Sequence, residues 1–179
     1  MIQQQLIISG VGGQGILFIT RLLAETAIAK GLPVLTSETH GMAQRGGIVI
    51  SHLKVGEFAS PLVRPGHADG LLALKPETVA LHRHFLKPQG WIVANAHAMD
   101  YAEHPVKTID ADALALAMGN PQAVNLLVLG RALSESGRLF CTVAEVEAAI
   151  RRKLAGKPVL QEGALLALRT GMDSQAKSS

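Results

Sequence analysis

The sequence of 179 residues is long enough for one domain with a sizeable core, and 48% of it is apolar. Aromatic residues make up only 3% of the sequence, too few for a platform on which nucleic-acid bases could stack. The formal net charge of +3 comes from scattered lysines and arginines, so the chain has no basic run of the kind that binds nucleic acid. The single cysteine excludes a disulfide framework within the chain, and an iron–sulfur cluster held by this chain alone.

The hydrophobic pattern predicts strands that alternate with helices over the first two thirds of the chain, followed by a helical last third. Short apolar runs predict strands over residues 5–9, 34–37, 48–55, 70–74, 91–95 and 106–109, with room for a bulge in the third of them. Periodicity and end signals predict helices over residues 14–30, 76–85, 110–119, 120–136, 142–153 and 158–170, and a turn at 88–90.

This order of elements predicts a three-layer, Rossmann-like α/β fold with a mostly parallel sheet. We expect one domain over residues 1–171 and a disordered tail over 172–179, because the last residues are small and polar. The start of the chain lacks the charged region of a signal peptide, and no stretch reaches the roughly 18 apolar residues of a membrane span. We therefore expect a cytoplasmic protein without membrane association.

The segment GVGGQG at residues 10–15 matches G-x-G-x-x-G and lies between a predicted strand and a predicted helix. Its glycines let backbone N–H groups approach an anion, and the helix start adds partial positive charge. Glu38 lies where dinucleotide-binding proteins place an acidic ribose ligand. A dinucleotide site and simple close packing of strand on helix are both consistent with this pattern. The candidate binding residues in the segment are Gly10, Gly12, Gly13, Gln14 and Gly15.

A second glycine-rich segment, ETHGMAQRGG, occupies residues 38–47. Arg45 lies beside two glycines, so that its planar guanidinium and nearby amides could clamp a phosphate or carboxylate. An ion pair between Arg45 and Glu38 that fixes the loop is equally consistent with the sequence. The candidate binding residues here are Glu38, His40, Gln44, Arg45, Gly46 and Gly47.

The two glycine segments in tandem, followed by SHLKVG at residues 51–56, resemble the gamma subunit or domain of the 2-oxoacid:ferredoxin oxidoreductases. The phrase ETHGMAQRGG is more similar to the indolepyruvate (arylpyruvate) branch, in which this piece is called the beta subunit. The pyruvate branch tends to have an aromatic-Gly-x-Glu stretch before its RGG, and this sequence departs from that pattern. The resemblance extends over residues 6–167 and includes DGLLAL and AVNLLVLGRAL.

The resemblance implies that the chain is one subunit of an enzyme and is inactive alone. Such enzymes oxidatively decarboxylate a 2-oxoacid with coenzyme A, giving an acyl-CoA, CO₂ and reduced ferredoxin. Thiamine diphosphate and iron–sulfur clusters are expected on a partner alpha subunit, and ferredoxin is reached through the complex. This chain is expected to hold no cofactor firmly, with coenzyme A at the subunit interface, and a homodimer stays open as an alternative.

Two other functions remain open from the residues themselves. One is a stand-alone NAD(P)- or FAD-binding Rossmann oxidoreductase, indicated by G-x-G-x-x-G and Glu38. The other is a non-catalytic interaction module that keeps the fold without the ligand site.

We assign no catalytic residue to this sequence. We also assign no metal site, because the seven histidines lack the spacing of metal ligands. Lys75 follows a predicted strand and Asn95 ends one, so both could border a site, whereas Ser9 can be assigned no histidine–carboxylate partner.

Overall fold

The structure is a computed structural model that describes residues 1–40 and 46–174. Its strands are β1 Gln4–Val11, β2 Val34–His40, β3 Ile48–Val55, β4 Ala68–Ala73, β5 Leu86–Asn95 and β6 Val106–Ile109. Its helices are α1 Ile16–Ala29, α2 Glu77–His82, α3 Ala111–Ala117, α4 Val124–Leu133, α5 Val143–Lys153 and α6 Pro158–Asp173. Short 3-10 helices over Arg83–Phe85 and Pro121–Ala123 follow α2 and precede α4.

The strands form one six-stranded sheet in the order β2-β3-β1-β4-β5-β6. The pairs β1–β4, β4–β5 and β5–β6 are parallel, whereas β3 runs antiparallel to both β1 and β2. The predicted α/β class with a mostly parallel sheet is therefore confirmed. The register between β1 and β3 is continuous from Gln4↔Val55 to Val11↔Ile48, so this pair contains no bulge.

Both faces of the central strands are buried, which explains why these strands are near-continuous apolar runs. One face, with Leu6 and Ile8 of β1, packs against α1 and the C-terminal helices. The other face, with Ile7 of β1, is covered by Val79 of α2 and by Val63 from the segment between β3 and β4. The two helical layers and the sheet between them are the three predicted layers.

Several element boundaries differ from the predicted ones for local reasons. Helix α1 begins at Ile16 rather than Gln14, because Gly15 has a left-handed backbone with φ of 77°. The predicted turn at 88–90 lies inside β5, where the register with β4 shifts between Ala68↔Leu86 and Gly70↔Trp91. The helix predicted to reach 136 ends at Leu133.

The C-terminal boundary also differs, because α6 runs to Asp173 and so includes the first residues of the predicted tail. Residues 175–179 lie outside the described residues. Among those that are described, no helix is both long and apolar enough to span a bilayer.

The capping box predicted at the start of α5 is confirmed. The Thr142 side chain accepts from the backbone N–H of Glu145, and the Glu145 carboxylate accepts from the backbone N–H of Thr142. Ion pairs then fix α5 on α1, with Lys30 Nζ 2.5 Å from Glu145 Oε1 and Lys153 Nζ 2.6 Å from Glu25 Oε1.

Helices α4 and α6 cross at two glycines. A Cβ atom built on Gly130 would lie 2.1 Å from the carbonyl oxygen of Leu168, and one built on Gly171 would lie 2.1 Å from that of Leu127. Both clashes are with backbone, which cannot move aside as a flexible side chain can. The two glycines thus set how closely the last helix packs on α4.

We expect Gly171→Ala to lower the free energy of unfolding by about 2 kcal/mol or more, because the added methyl overpacks this crossing. Gly163→Ala in the same helix is the matched control, since its Cβ would lie 3.7 Å from its nearest neighbour, Asn120 Nδ2. That variant should be more stable by about 0.5–1 kcal/mol through higher helix propensity. Urea unfolding measures both, and equal effects of the two changes would contradict the close crossing.

Candidate functional site

The two glycine segments predicted to act together lie in direct contact. The backbone N–H of Gly12 donates to the carbonyl oxygen of Gly47 at 2.9 Å. A Cβ atom on Gly12 would lie 3.5 Å from the backbone nitrogen of Gly46. The contact follows from the sheet, because Val11 at the end of β1 is opposite Ile48 at the start of β3. The loop after β1 and the loop before β3 therefore emerge side by side.

Three glycines of the first segment are required by geometry. Gly13 and Gly15 have φ of 92° and 77°, in the left-handed region that non-glycine residues rarely adopt. Gly10 leaves room for a neighbour, because a Cβ atom there would lie 2.6 Å from Gln14 Oε1. The turn thus accounts for Gly13 and Gly15, and close packing accounts for Gly10, whether or not a ligand binds, whereas a Cβ atom at Gly12 would make only ordinary contacts.

The side chain of Gln14, a predicted ligand-binding residue, is engaged within the chain. Its Oε1 accepts from the backbone N–H of Val11 at 2.9 Å, and its Nε2 donates to the carbonyl oxygen of Leu74 at 3.1 Å. The amide therefore ties the glycine loop to the end of β4. A direct contact of this side chain with a ligand remains a prediction and would use the second N–H or the second lone pair of the amide.

Several backbone amides around the first glycine loop have no hydrogen-bond partner among the described residues. Gly12 donates to Gly47 and Gln14 donates to the carbonyl of Val11, whereas no partner is found within residues 1–40 and 46–174 for the amides of Gly13, Gly15, Ile16 and Leu17. These amides open the 14-residue helix α1, whose dipole places partial positive charge at the same point. The loop is thus suited to an anion such as a phosphate or carboxylate.

A cleft of about 330 Å³ adjoins this loop and contains residues that the sequence did not mark as functional. The amide side chains of Asn120, Gln122 and Asn125 line it together with apolar groups such as Phe18 and Leu160. Asn125 Nδ2 also donates to the carbonyl oxygen of Gly15 at 3.2 Å and so fixes the loop from α4. These residues are brought to the loop by helix packing, which sequence spacing does not reveal.

The remaining predicted residues of the second segment are only partly described. Glu38 lies near the end of β2, in register with Ser51 of β3, and is half-buried. His40 ends β2, but its side chain lies outside the described atoms. Gln44 and Arg45 lie outside the described residues, so their predicted roles stay predictions.

The position of Glu38 differs from that of an acidic ribose ligand. In dinucleotide-binding folds the second strand is the direct neighbour of the first. Here β3 lies between β1 and β2, so the end of β2 is two strand spacings, roughly 10 Å, from the glycine loop. This order disfavours a ribose contact by Glu38.

Asn95, which the sequence places where it could border a site, is buried and hydrogen bonded within the chain. Its Nδ2 donates to the carbonyl oxygen of Leu74 at 3.2 Å and to Asp112 Oδ2 at 3.0 Å, and its Oδ1 accepts from the backbone N–H of Ala111 at 2.9 Å. Together with Gln14, this side chain joins the ends of β1, β4 and β5 to the start of α3.

The opposite face of the sheet holds a group of histidines around Phe85. Ser9 Oγ and His82 Nδ1 are hydrogen bonded at 2.6 Å, a partner that the sequence did not indicate. Ser9 is fully buried, and within the described part of the chain no carboxylate is hydrogen bonded to His82. The pair therefore presents no nucleophile and holds α2 against β1.

Burial lowers the pKa of His52 and of His82 below the usual histidine value. The Lys54 ammonium further lowers the pKa of His52, and the neighbouring His84 and His52 further lower that of His82. His52 Nδ1 accepts a hydrogen bond from the backbone N–H of Val63, which a proton on that nitrogen would break. Both rings are thus held neutral by their surroundings near pH 7.

The cysteine, histidine and carboxylate side chains give little support for thiolate or metal chemistry. Burial raises the pKa of the Cys141 thiol, the single cysteine of the sequence, to about 12. Over residues 1–40 and 46–174, no three His, Cys, Asp or Glu side chains lie together in a way that could hold a metal ion. The residues present therefore do not fit an iron–sulfur cluster.

Comparison with known proteins gives a match along most of the chain. A sequence profile of the family described as "POR: Pyruvate ferredoxin/flavodoxin oxidoreductase" matches residues 5–174. The protein named "Indolepyruvate oxidoreductase subunit IorB" from Archaeoglobus fulgidus is 31% identical over 176 residues, which cover 86% of this chain and 87% of that protein.

Two solved structures have a similar fold. The keto/oxoacid ferredoxin oxidoreductase gamma subunit from Geobacter sulfurreducens superposes with a TM-score of 0.76 at 21% identity, covering 94% of this chain and 96% of that one. The 2-oxoglutarate:ferredoxin oxidoreductase from Magnetococcus marinus, solved with 2-oxoglutarate, coenzyme A and succinyl-CoA bound, superposes with a TM-score of 0.78 at 21% identity, covering 96% of this chain and 30% of that chain.

The histidine group predicts an acid-sensitive fold. The pKa values of His52 and His82 in the folded chain are lowered from the usual 6.5. Below pH 6.5 the unfolded chain therefore binds more protons at these two histidines than the folded chain does. The free energy of unfolding should therefore hold steady above about pH 6.5 and fall as the pH drops towards 5. Urea unfolding at several pH values measures this.

His82→Gln should flatten that fall, whereas His97→Gln should retain it, because the His97 side chain is 88% exposed. A wild-type stability that stays level between pH 7 and 5.5 would contradict the prediction, as would equal slopes for the two variants.

Proposed function

Because the chain belongs to the pyruvate ferredoxin/flavodoxin oxidoreductase family, we propose that it is a subunit of an indolepyruvate-type 2-oxoacid:ferredoxin oxidoreductase. In this role it carries neither the thiamine diphosphate nor the iron–sulfur clusters. It supports the coenzyme A-dependent oxidative decarboxylation of a 2-oxoacid to an acyl-CoA and CO₂, with reduction of ferredoxin. The partner that bears the thiamine and the clusters is an alpha subunit, and ferredoxin is reached through the complex.

The observation that carries this proposal is the contact between the two glycine segments beside the open amides of α1. The Gly12–Gly47 hydrogen bond holds the second segment next to the amides of Gly13 and Gly15. Coenzyme A carries several phosphate groups, and we propose that this double loop binds them with Arg45 as the cationic clamp. The adjoining cleft, lined by amide and apolar side chains, leaves room for the uncharged part of the same molecule.

The donor groups of the chain support this proposed division of labour between subunits. An iron–sulfur cluster usually needs four thiolates, and this sequence has the single Cys141, whose thiol stays protonated. The electron-transfer step is therefore assigned to the partner. What this chain contributes is binding and orientation of coenzyme A at the subunit interface, together with exclusion of water from that interface.

The substrate class rests on similarity to the indolepyruvate branch. The relative from Archaeoglobus fulgidus is named as an indolepyruvate oxidoreductase subunit. The segment before Gly46 and Gly47 also lacks the aromatic-Gly-x-Glu stretch of the pyruvate branch. We therefore propose an arylpyruvate rather than pyruvate as the 2-oxoacid.

The alternative of a stand-alone NAD(P)- or FAD-binding oxidoreductase is supported by G-x-G-x-x-G but not by the strand order. The placement of β3 between β1 and β2 moves Glu38 away from the loop. A non-catalytic interaction module is the remaining alternative, and it differs from the proposal only in lacking the coenzyme A contact.

The proposal is tested by co-expression with the thiamine- and cluster-bearing subunit. We expect a stable complex that reduces ferredoxin or a viologen only when an arylpyruvate and coenzyme A are both present. Arg45→Ala in the complex should raise KM for coenzyme A by about 10- to 100-fold, which corresponds to the roughly 1.5–3 kcal/mol of a hydrogen bond to a charged group. Arg21→Ala, on an exposed position of α1, is the control and should leave KM unchanged.

Each alternative predicts a different outcome of this experiment. Bound flavin or a thermal shift of the purified chain with NAD(P) would favour the stand-alone oxidoreductase. A complex whose KM for coenzyme A is indifferent to Arg45→Ala would favour the interaction module. Unchanged activity of the partner without this chain would contradict the proposal altogether.

A further inference from the structure

The segment AVNLLVLGRAL at residues 123–133 brings one buried polar side chain to the first glycine loop. This side chain belongs to Asn125, the second residue of α4. Asn125 is only 6% exposed, although asparagines lie mostly at protein surfaces. A buried amide group needs partners for both its donor and its acceptor. The partners of Asn125 therefore show what this position requires.

The two contacts of Asn125 require a side chain that both donates and accepts. Its Nδ2 donates to the carbonyl oxygen of Gly15 at 3.2 Å, and its Oδ1 accepts from the backbone N–H of Leu126 at 2.7 Å. Because one partner is an acceptor and the other is a donor, the orientation of the amide group is fixed. An aspartate here would place an oxygen against the Gly15 carbonyl, and a leucine would supply neither a donor nor an acceptor.

Asn125 packs directly on the residue that opens α1. A Cβ atom built on Gly15 would lie 2.3 Å from Asn125 Nδ2. Gly15 is the N-cap of α1, with φ of 77° and ψ of 33° and no side-chain cap. Its carbonyl oxygen also accepts from the backbone N–H groups of Phe18 at 3.1 Å and Ile19 at 3.3 Å. Asn125 thus holds, from a different helix, a residue that has no side chain of its own to hold it.

The planar peptide between Gly15 and Ile16 transmits this contact to the neighbouring amides. In a trans peptide the C=O and the N–H point in opposite directions. By holding the Gly15 carbonyl, Asn125 therefore also sets the direction of the Ile16 N–H, which has no partner among the described residues. Glycine lets the adjoining peptide rotate more freely than other residues do. Asn125 is thus placed to keep this peptide in one orientation.

A cavity of about 300 Å³ lies beside these amides. It is lined by Gly12, Gly13, Gly15, Ile16, Leu17 and Val49. Four of these residues, Gly13, Gly15, Ile16 and Leu17, have backbone amides without a partner in the described part of the chain. The described lining contains no polar side chain, so a polar group that entered would be bound by backbone atoms. Gly15 lines both this cavity and the cleft that contains Asn125.

We propose that Asn125 is a positioning residue for the anion-binding amides of the first glycine loop. It holds the Gly15 carbonyl and so orients the neighbouring amides towards the phosphate groups of coenzyme A. Amides that are held in place before binding lose less conformational freedom when the anion binds, which raises affinity. The inference rests on the proposed function, because it takes coenzyme A as the anion.

Three variants separate positioning from support of the fold and from a change of charge. Asn125→Asp keeps the size of the side chain and the acceptor for Leu126, but it removes the donor to Gly15. Asn125→Leu removes both groups at similar size and adds no charge. Gln122→Glu is the matched control, because it brings a carboxylate into the same cleft from an exposed position.

The measurement is the affinity of the assembled enzyme for coenzyme A. Isothermal titration calorimetry without 2-oxoacid gives Kd, and ferredoxin reduction gives KM and kcat. We expect Asn125→Asp to raise Kd and KM for coenzyme A about tenfold, and Asn125→Leu about threefold or more, because a fixed hydrogen bond is lost. We expect kcat at saturating coenzyme A to stay within about twofold of wild type, and Gln122→Glu to change Kd by less than about twofold.

The outcomes separate this inference from the proposed function. A lower melting temperature with an unchanged Kd for both Asn125 variants would show support of the fold alone and overturn the positioning role. Equal increases in Kd for Asn125→Asp and Gln122→Glu, with none for Asn125→Leu, would assign the effect to charge and likewise overturn it. If Asn125→Asp does not fold, Asn125→Leu decides by the same measurement. A wild-type complex that binds no coenzyme A overturns the proposed function as well.

Discussion

The hydrogen bond from the Gly12 amide to the Gly47 carbonyl is the contact on which the site depends. It forms because β3 returns antiparallel beside β1, so the loop that leaves β1 and the loop that enters β3 meet at one end of the sheet. In a dinucleotide-binding fold β2 would occupy this place. One change of strand order thus places a second glycine loop beside the first, and it places Glu38 two strands away from the first loop.

The paired loops also explain why the chain works as part of an assembly. The unpartnered amides at the start of α1 are suited to an anion, and the described residues around them offer little side-chain chemistry beyond binding. The hydrogen bonds of Gln14 and Asn95 are directed inward and brace the loops against β4 and α3. These inward contacts leave the backbone amides of the loop for binding, and we propose that a partner subunit supplies the reaction.

Sequence patterns predicted the parts of the fold that depend on local chemistry. The limits of β3 and the capping box at Thr142 agree with the structure, because alternation and cap residues are local signals. The pairing of β3 with β1 could not be predicted, since periodicity carries no information about the neighbouring strand. Nor could the alternation of β3 show that Lys54, which alternates like a solvated strand residue, has only 7% of its surface exposed and lies against Phe58. The family was predicted correctly from the sequence, because the resemblance rested on two motifs in tandem.

Hydrogen–deuterium exchange on the assembled enzyme, with and without coenzyme A, tests most directly whether the paired glycine loops bind the coenzyme. We expect coenzyme A to slow exchange in peptides that cover residues 12–17 and 46–49, where the amides of α1 and the second loop meet. Peptides around residues 54–58, at the other end of the strand pair, should be unchanged. Protection confined to the partner subunit, with residues 12–17 unaffected, would contradict the assignment of the coenzyme A phosphates to these loops.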